Sequence, residues 1–132
     1  MSRDRNTLEE MVRTYFAGVD GEDLRLVFSM LASDCVFSVE THQVKLVGRP
    51  EITVMFELLW AGHKAVCHDQ FKFVTDPQNG SIAVQFRVAN TLPDGSLVYK
   101  FNCNFFTVTD GMFSAVNVYM AGANTLHGPT VA

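Results

Sequence analysis

Apolar residues first recur at helical spacing and then switch to strict alternation, and the switch divides the chain in two. Leu8, Met11, Val12, Tyr15, Phe16 and Val19 fall on one face of a helix, because residues three and four apart are neighbours on a helical surface. Thr7 followed by Glu10 has the pattern of a capping box, in which each side chain satisfies an orphan amide of the other. The first helix is therefore expected to start at Thr7 and to end at Gly18 and Gly21. A second is expected from about Glu22, with Leu24, Val27, Phe28 and Leu31 inward and Ser33-Asp34 closing it. Short extended pieces follow over 35–40 and 44–47. Gly48-Arg49-Pro50-Glu51 opens a third helix, since proline is tolerated in the first helical turn. Ile52, Met55, Phe56 and Leu59 form its buried face, and Gly62 is its stop.

From Ala65 onward the pattern is that of strands. Residues 65–74 lead into a turn over 76–80, and 81–91 alternates with Ile82, Val84, Phe86 and Val88 on one face and Gln85 and Arg87 on the other. Pro93-Asp94-Gly95 turns the chain into a long strand over 97–109. Asp110-Gly111 is a two-residue hairpin signal, 112–120 is the last strand, and the tail from Ala121 has no pattern. Three helices ahead of a long antiparallel meander predict an α+β domain whose sheet wraps around the helices to bury both. At 132 residues the chain forms one domain.

Composition narrows the function more than the fold. Hydrophobic residues make up 48% and include 11 phenylalanines, enough for a core and a lined cavity. The net charge is −4 with scattered Lys and Arg, so the basic footprint of a nucleic-acid or acidic-membrane binder is missing. No apolar run approaches the roughly 18 residues of a membrane span, and Met1 to Asn6 lacks the apolar stretch of a signal peptide. Cys35, Cys67 and Cys103 are odd in number and set among apolar neighbours, as expected of reduced thiols in a cytoplasmic protein. Cys67 and His68 are adjacent and point to opposite faces of a strand, and no other metal-ligand spacing occurs. Phosphate loops and nucleophile elbows are also missing, so neither a metal nor a cofactor is expected.

Several phrases, in order, resemble ketosteroid isomerase and its SnoaL-like relatives in the nuclear transport factor 2-like superfamily. Tyr15 to Asp23 is similar to that family's first-helix end and acidic link, and Met30 to Asp34 to its second-helix exit. Gly48-Arg49-Pro50-Glu51-Ile52 resembles the opening of its third helix. Phe86-Arg87-Val88, Val108 to Gly111 and Val118-Tyr119 resemble its strand signatures. The resemblance covers about 7–124 with near-gapless spacing. It implies a cone-shaped, cystatin-like fold, with three N-terminal helices packed in a strongly curved, mainly antiparallel sheet. It names no reaction, since the superfamily spans isomerases, dehydratases, cyclases, epoxide hydrolases and non-enzymatic modules.

Carried over residue by residue, the family's oxyanion-hole tyrosine falls on Tyr15 and its protonated aspartate on Asn104. An amide donates to a developing oxyanion without needing a raised pKa. The family's general base falls on Val39, with Glu40 aimed at the opposite face unless a bulge turns it inward. His68 is the replacement proton carrier, because the resemblance places its strand parity, shared with Gln70, on the cavity side. Val39, Glu40, Trp60, Phe86, Asn102 and Met120 are the expected lining of a pocket around His68, Tyr15 and Asn104.

Each residue also has a plainer role: Tyr15 as a core tyrosine, His68 as a structural histidine, the asparagines as polar residues of a half-wet strand. Two functions therefore stand. One is a cofactor-independent isomerase, dehydratase or cyclase acting on a small apolar carbonyl or hydroxyl compound by acid–base catalysis. The other is a ligand-binding or assembly module of the same fold. If the asparagines face inward, then Phe101, Cys103 and Phe105, with Phe113 and Tyr119, face outward and predict a homodimer through the sheets.

Overall fold

The computed structural model describes residues 4–128. Helix α1 (Arg5–Asp20) starts a turn earlier than the capping box predicts. The Asp4 carboxylate accepts the Thr7 N–H at 2.7 Å, and aspartate is at least as good an N-cap as threonine. Asp23 caps the short α2 (Leu24–Phe28) in the same way, accepting the Leu26 N–H at 3.1 Å. Gly18 lies inside α1, where the two helices nearly touch: a Cβ there would sit 2.8 Å from the Val27 backbone nitrogen. Gly18→Ala should therefore cost about 1–3 kcal/mol of stability, partly offset by alanine's better helix propensity. A thermal-denaturation midpoint equal to wild type would show that α2 is free to move away.

Strand β1 (Leu31–Val39) also begins earlier than expected. Leu31 is not the last inward residue of a helix; it pairs with Phe113 on the last strand. Ser33 and Asp34, predicted to close that helix, lie where the β1–β6 register shifts between Leu31 and Val36. A 3-10 turn (Glu40–His42) leads to β2 (Val44–Val47), and only then comes α3 (Arg49–Ala61). The helices are thus not three in a row, because β1 and β2 separate α2 from α3. Arg49 pins that junction, its Nη2 donating to the carbonyls of Phe28 at 3.2 Å and Leu31 at 3.0 Å.

The remaining strands are β3 (Ala65–Asp76), β4 (Ser81–Thr91), β5 (Leu97–Thr109) and β6 (Met112–Tyr119). They form one six-stranded sheet in the order β2-β1-β6-β5-β4-β3, antiparallel except where β1 runs parallel to β6. Asp110 and Gly111 both have positive φ, 52° and 83°, the backbone that a tight two-residue hairpin demands. The sheet curls about the helices without closing, so β2 and β3 remain edges. Helix α1 packs against β3 and β4, and α3 against β1 and β2. Among the described residues, no helix is long and apolar enough to cross a membrane.

Two bulges decide which side chains face the core. On β6, Val108 pairs with Phe113 while Thr107 pairs with Ala115. The extra residue, Ser114, flips the parity, so Phe113 is fully buried while Tyr119 stays exposed. The expectation that Phe113 joins the outward aromatic row is corrected on that ground. On β3 the register shifts between Asp69 and Lys72, and Gln70 takes a φ of 56°. Gln70 is therefore exposed although it shares sequence parity with His68, and Phe71 and Phe73 turn inward beyond it.

Candidate functional site

Between α1, α3 and the concave face of the sheet lies a cavity of about 30 Å³. By this measure it has room for one or two water molecules. Phe16, Phe37, Phe56 and Phe86 supply much of its wall, with Val118 and Met120 from the end of the sheet. Thr125 and Leu126, from the chain after β6, complete it. Into this apolar setting project Tyr15, His68, Asn90, Asn102 and Asn104.

His68 is held by a partner the sequence reading did not name. Asp20 is the last residue of α1, where the helix dipole disfavours a carboxylate. Its Oδ2 accepts the His68 backbone N–H at 2.8 Å, and its Oδ1 meets His68 Nδ1 at 2.5 Å. The backbone donor is free for this because β3 is an edge strand. With Nδ1–H given to the carboxylate, Nε2 is the ring nitrogen left to exchange a proton. The His68 ring lies against Phe16, with centroids 4.5 Å apart and planes inclined by 29°. Its side chain is only 10% exposed. A carboxylate thus orients an imidazole that lines the cavity and fixes which ring nitrogen faces it.

Tyr15 sits deeper, edge-on to Phe106 at 5.4 Å and to Phe113 at 6.5 Å. Burial, and to a smaller extent the nearby Cys35 and Asp20, pushes its phenol far above the usual range. It is therefore a permanent donor and no base. The same burial pushes the Cys35 thiol up to about 12, with Asp34 adding to it, which makes Cys35 an inert core thiol. Asn104 is 3% exposed and its Oδ1 has no hydrogen-bond partner among the described residues. Asn102 differs, since its Oδ1 accepts the Ala121 N–H at 3.0 Å and so fastens the segment that carries Thr125 and Leu126.

The structure thus gathers Tyr15, His68, Asn104, Asn102, Phe86 and Met120 around one cavity. It leaves out the other three. Val39 is fully buried and is not part of the cavity lining, although its strand partner Val118 is. Glu40 begins the exposed 3-10 turn, so no bulge brings it inward. Trp60 stacks on Phe56 and donates its indole N–H to the Val19 carbonyl at 3.0 Å, clamping the end of α1. Asn90 was missed, although extending the alternation of Ile82 to Val88 by one step reaches it. Asp20 was missed because it lies 48 residues from His68. Among the described residues, no group of three or more His, Cys, Asp and Glu side chains is placed to share a metal ion.

No protein-family model and no curated protein matches the chain. Solved structures do. A candidate polyketide cyclase from Xanthomonas campestris pv. campestris superposes with a TM-score of 0.79 at 15% identity, covering 87% of this chain and 90% of that one. A candidate SnoaL-like polyketide cyclase from Jannaschia sp. CCS1 gives 0.75 at 13% identity, with 92% and 91% covered. SalBIII, an epoxide hydrolase/cyclase-like enzyme of pyran ring formation in the polyether salinomycin, gives 0.77 at 19% identity, with 89% and 93% covered. At such identities the likeness establishes architecture and leaves chemistry to the site. With its helices held inside a curled six-stranded sheet and with these neighbours, the chain has the nuclear transport factor 2-like fold of the SnoaL-like proteins.

Proposed function

We propose that this protein is a cofactor-independent enzyme that isomerises, dehydrates or cyclises a small, largely apolar carbonyl or hydroxyl compound. The observation that carries the proposal is the Asp20–His68 pair inside an apolar cavity that also presents Tyr15 and Asn104. His68 Nε2 takes a proton from the substrate, and the resulting imidazolium is stabilised by the Asp20 carboxylate. Oxyanion character developing on the substrate accepts hydrogen bonds from the Tyr15 hydroxyl and the Asn104 amide. His68 then returns the proton to a second position or to a leaving hydroxyl. The names of the structural neighbours, cyclases and an epoxide hydrolase/cyclase-like enzyme, agree with that class. The protein acts as a homodimer joined through the outer sheet face.

The second reading, a non-catalytic ligand-binding or assembly module, is favoured by the size of the cavity. About 30 Å³ is far below the roughly 300–1,000 Å³ of ordinary ligand pockets. A substrate therefore enters only by displacing lining side chains, and residues 121–128 are the segment without helix or strand to hold it. The test is a turnover screen of small carbonyl and hydroxyl compounds on wild type and Tyr15→Phe, with binding measured in parallel. Turnover should fall about ten- to a thousandfold in Tyr15→Phe, because Asn104 remains as a donor. Affinity should change little, because the walls supply most of it. Ligands that bind both proteins equally and are never turned over would establish the module.

A further inference from the structure

The chain after β6 crosses the open end of the sheet without forming a helix or a strand. Residues 121–128 start beside Lys100 on β5 and reach Leu46 on β2, where a Cβ on Gly128 would lie 2.5 Å from the leucine Cδ2. On the way, Thr125 and Leu126 form part of the cavity wall. Among the described residues, no backbone–backbone hydrogen bond joins this segment to the rest of the protein. Chain held without such bonds belongs to the low end of a protein's range of local stabilities.

Side chains hold it instead. Asn102 Oδ1 fixes its start by accepting the Ala121 N–H at 3.0 Å. Gly122 follows with a φ of 69°, a conformation that glycine adopts without strain. One residue further, Lys100 Nζ donates to the Ala123 carbonyl. Beyond that point the ties are weak. The Thr125 N–H and hydroxyl meet Met120 Sδ at 3.4 and 3.6 Å, and a thioether is a poor acceptor. Asn124 bonds back onto Leu126 inside the segment. Lys100 shares strand parity with Asn102, so its partly buried ammonium lies on the concave side of the sheet. No carboxylate among the described residues is within ion-pair distance of it. A charged donor on a carbonyl is stronger than a neutral one, which makes Lys100 the main tie beyond Gly122.

We propose that residues 121–128 are a strap that gates the cavity, hinged at Gly122 and latched by Lys100 on the Ala123 carbonyl. With the latch made, Thr125 and Leu126 stay in the wall and the cavity keeps its small, closed volume. With the latch broken, the strap turns about Gly122, Leu126 leaves the wall, and the apolar interior opens to a ligand. The inference rests on the entry route proposed above, but its test reads access to the cavity and needs neither a ligand nor turnover.

The experiment measures how fast methyl methanethiosulfonate, a small thiol reagent, labels a cysteine placed in the cavity wall. Val118 lines the cavity and is 2% exposed. Val118→Cys is combined with Cys67→Ser and Cys103→Ser, which leaves the new thiol and Cys35. Cys35 is fully buried in the core and reports opening of the whole domain. When reclosing is fast, labelling tracks the population of the open form. Lys100→Met removes the donor and keeps an unbranched apolar chain. It should label the new thiol about ten- to a hundredfold faster, the effect of losing one charged hydrogen bond, and leave Cys35 at its reference rate. With the native cysteines in place, Lys100→Met should also speed hydrogen exchange at the Thr125 amide. The Ala121 amide, on the fixed side of the hinge, should keep its rate. An unchanged rate at the new thiol, an equal rise at both thiols, or an unchanged Thr125 amide would each overturn the latch.

Discussion

His68→Ala and Asp20→Asn should each lower turnover by about a hundred- to ten-thousandfold, the usual contribution of a positioned proton carrier. The two losses arise differently. Alanine removes the imidazole, whereas asparagine keeps the shape of the partner and spoils the tautomer. Asp20 accepts two N–H groups at once, the His68 backbone donor at 2.8 Å and Nδ1 at 2.5 Å. Asparagine has one carbonyl oxygen for these two donors. If its oxygen takes the backbone N–H, its NH2 faces Nδ1, and the ring must carry its proton on Nε2, where it cannot act as a base. Because both residues serve one proton transfer, the double variant should be little slower than either single one. Asp20→Asn should keep the wild-type fold, since losing a carboxylate at a helix C-terminus relieves the dipole. Wild-type turnover in Asp20→Asn, or multiplicative losses in the double variant, would dissolve the pair as a catalytic unit.

How much of this was legible in the sequence depended on how local the determining physics was. Ile82, Val84, Phe86 and Val88 could be assigned to the core because strand alternation is set by neighbouring residues. The same alternation placed Asn102 and Asn104 opposite Phe101 and Phe105, and the exposures follow it. It failed for Phe113 and Gln70 because one bulge on each strand resets the parity, and a bulge is fixed by the partner strand. The start of β1 was misplaced because Leu31 fits a helix face as well as a strand end, and its pairing with Phe113, distant in sequence, decides the matter. Trp60 was expected in the pocket wall but stacks on Phe56. The carbonyl its indole needs lies at Val19, on another helix. The site was legible as residue types, and its working partnership was not.

Phe101→Glu should convert a homodimer into a folded monomer. Leu97, Tyr99, Phe101 and Phe105 on β5, with Tyr119 on β6, remain 43–58% exposed. Phe105 and Tyr119 pack edge-on with ring centroids 5.8 Å apart, making the row a continuous surface. A polar edge borders it, where Arg87 lies 4.9 Å over the Tyr99 ring and forks onto Asp69 at 2.9 and 2.7 Å. An aromatic patch bordered by charge is the composition of an interface centre and rim. Glutamate at its middle would bury an unpaired carboxylate, a loss of several kcal/mol and enough to separate an interface of ordinary size. The inner face would be untouched, because strand geometry sends Asn102 and Asn104 to the opposite side from Phe101. Light scattering at roughly tens of micromolar protein, a range where a typical interface is saturated, should show a dimer for wild type and a monomer for Phe101→Glu, with matching circular dichroism. Leu58→Glu, on an exposed position of α3, should remain dimeric. A monomeric wild type would remove the dimer, and a dimeric Phe101→Glu would move the interface off the sheet.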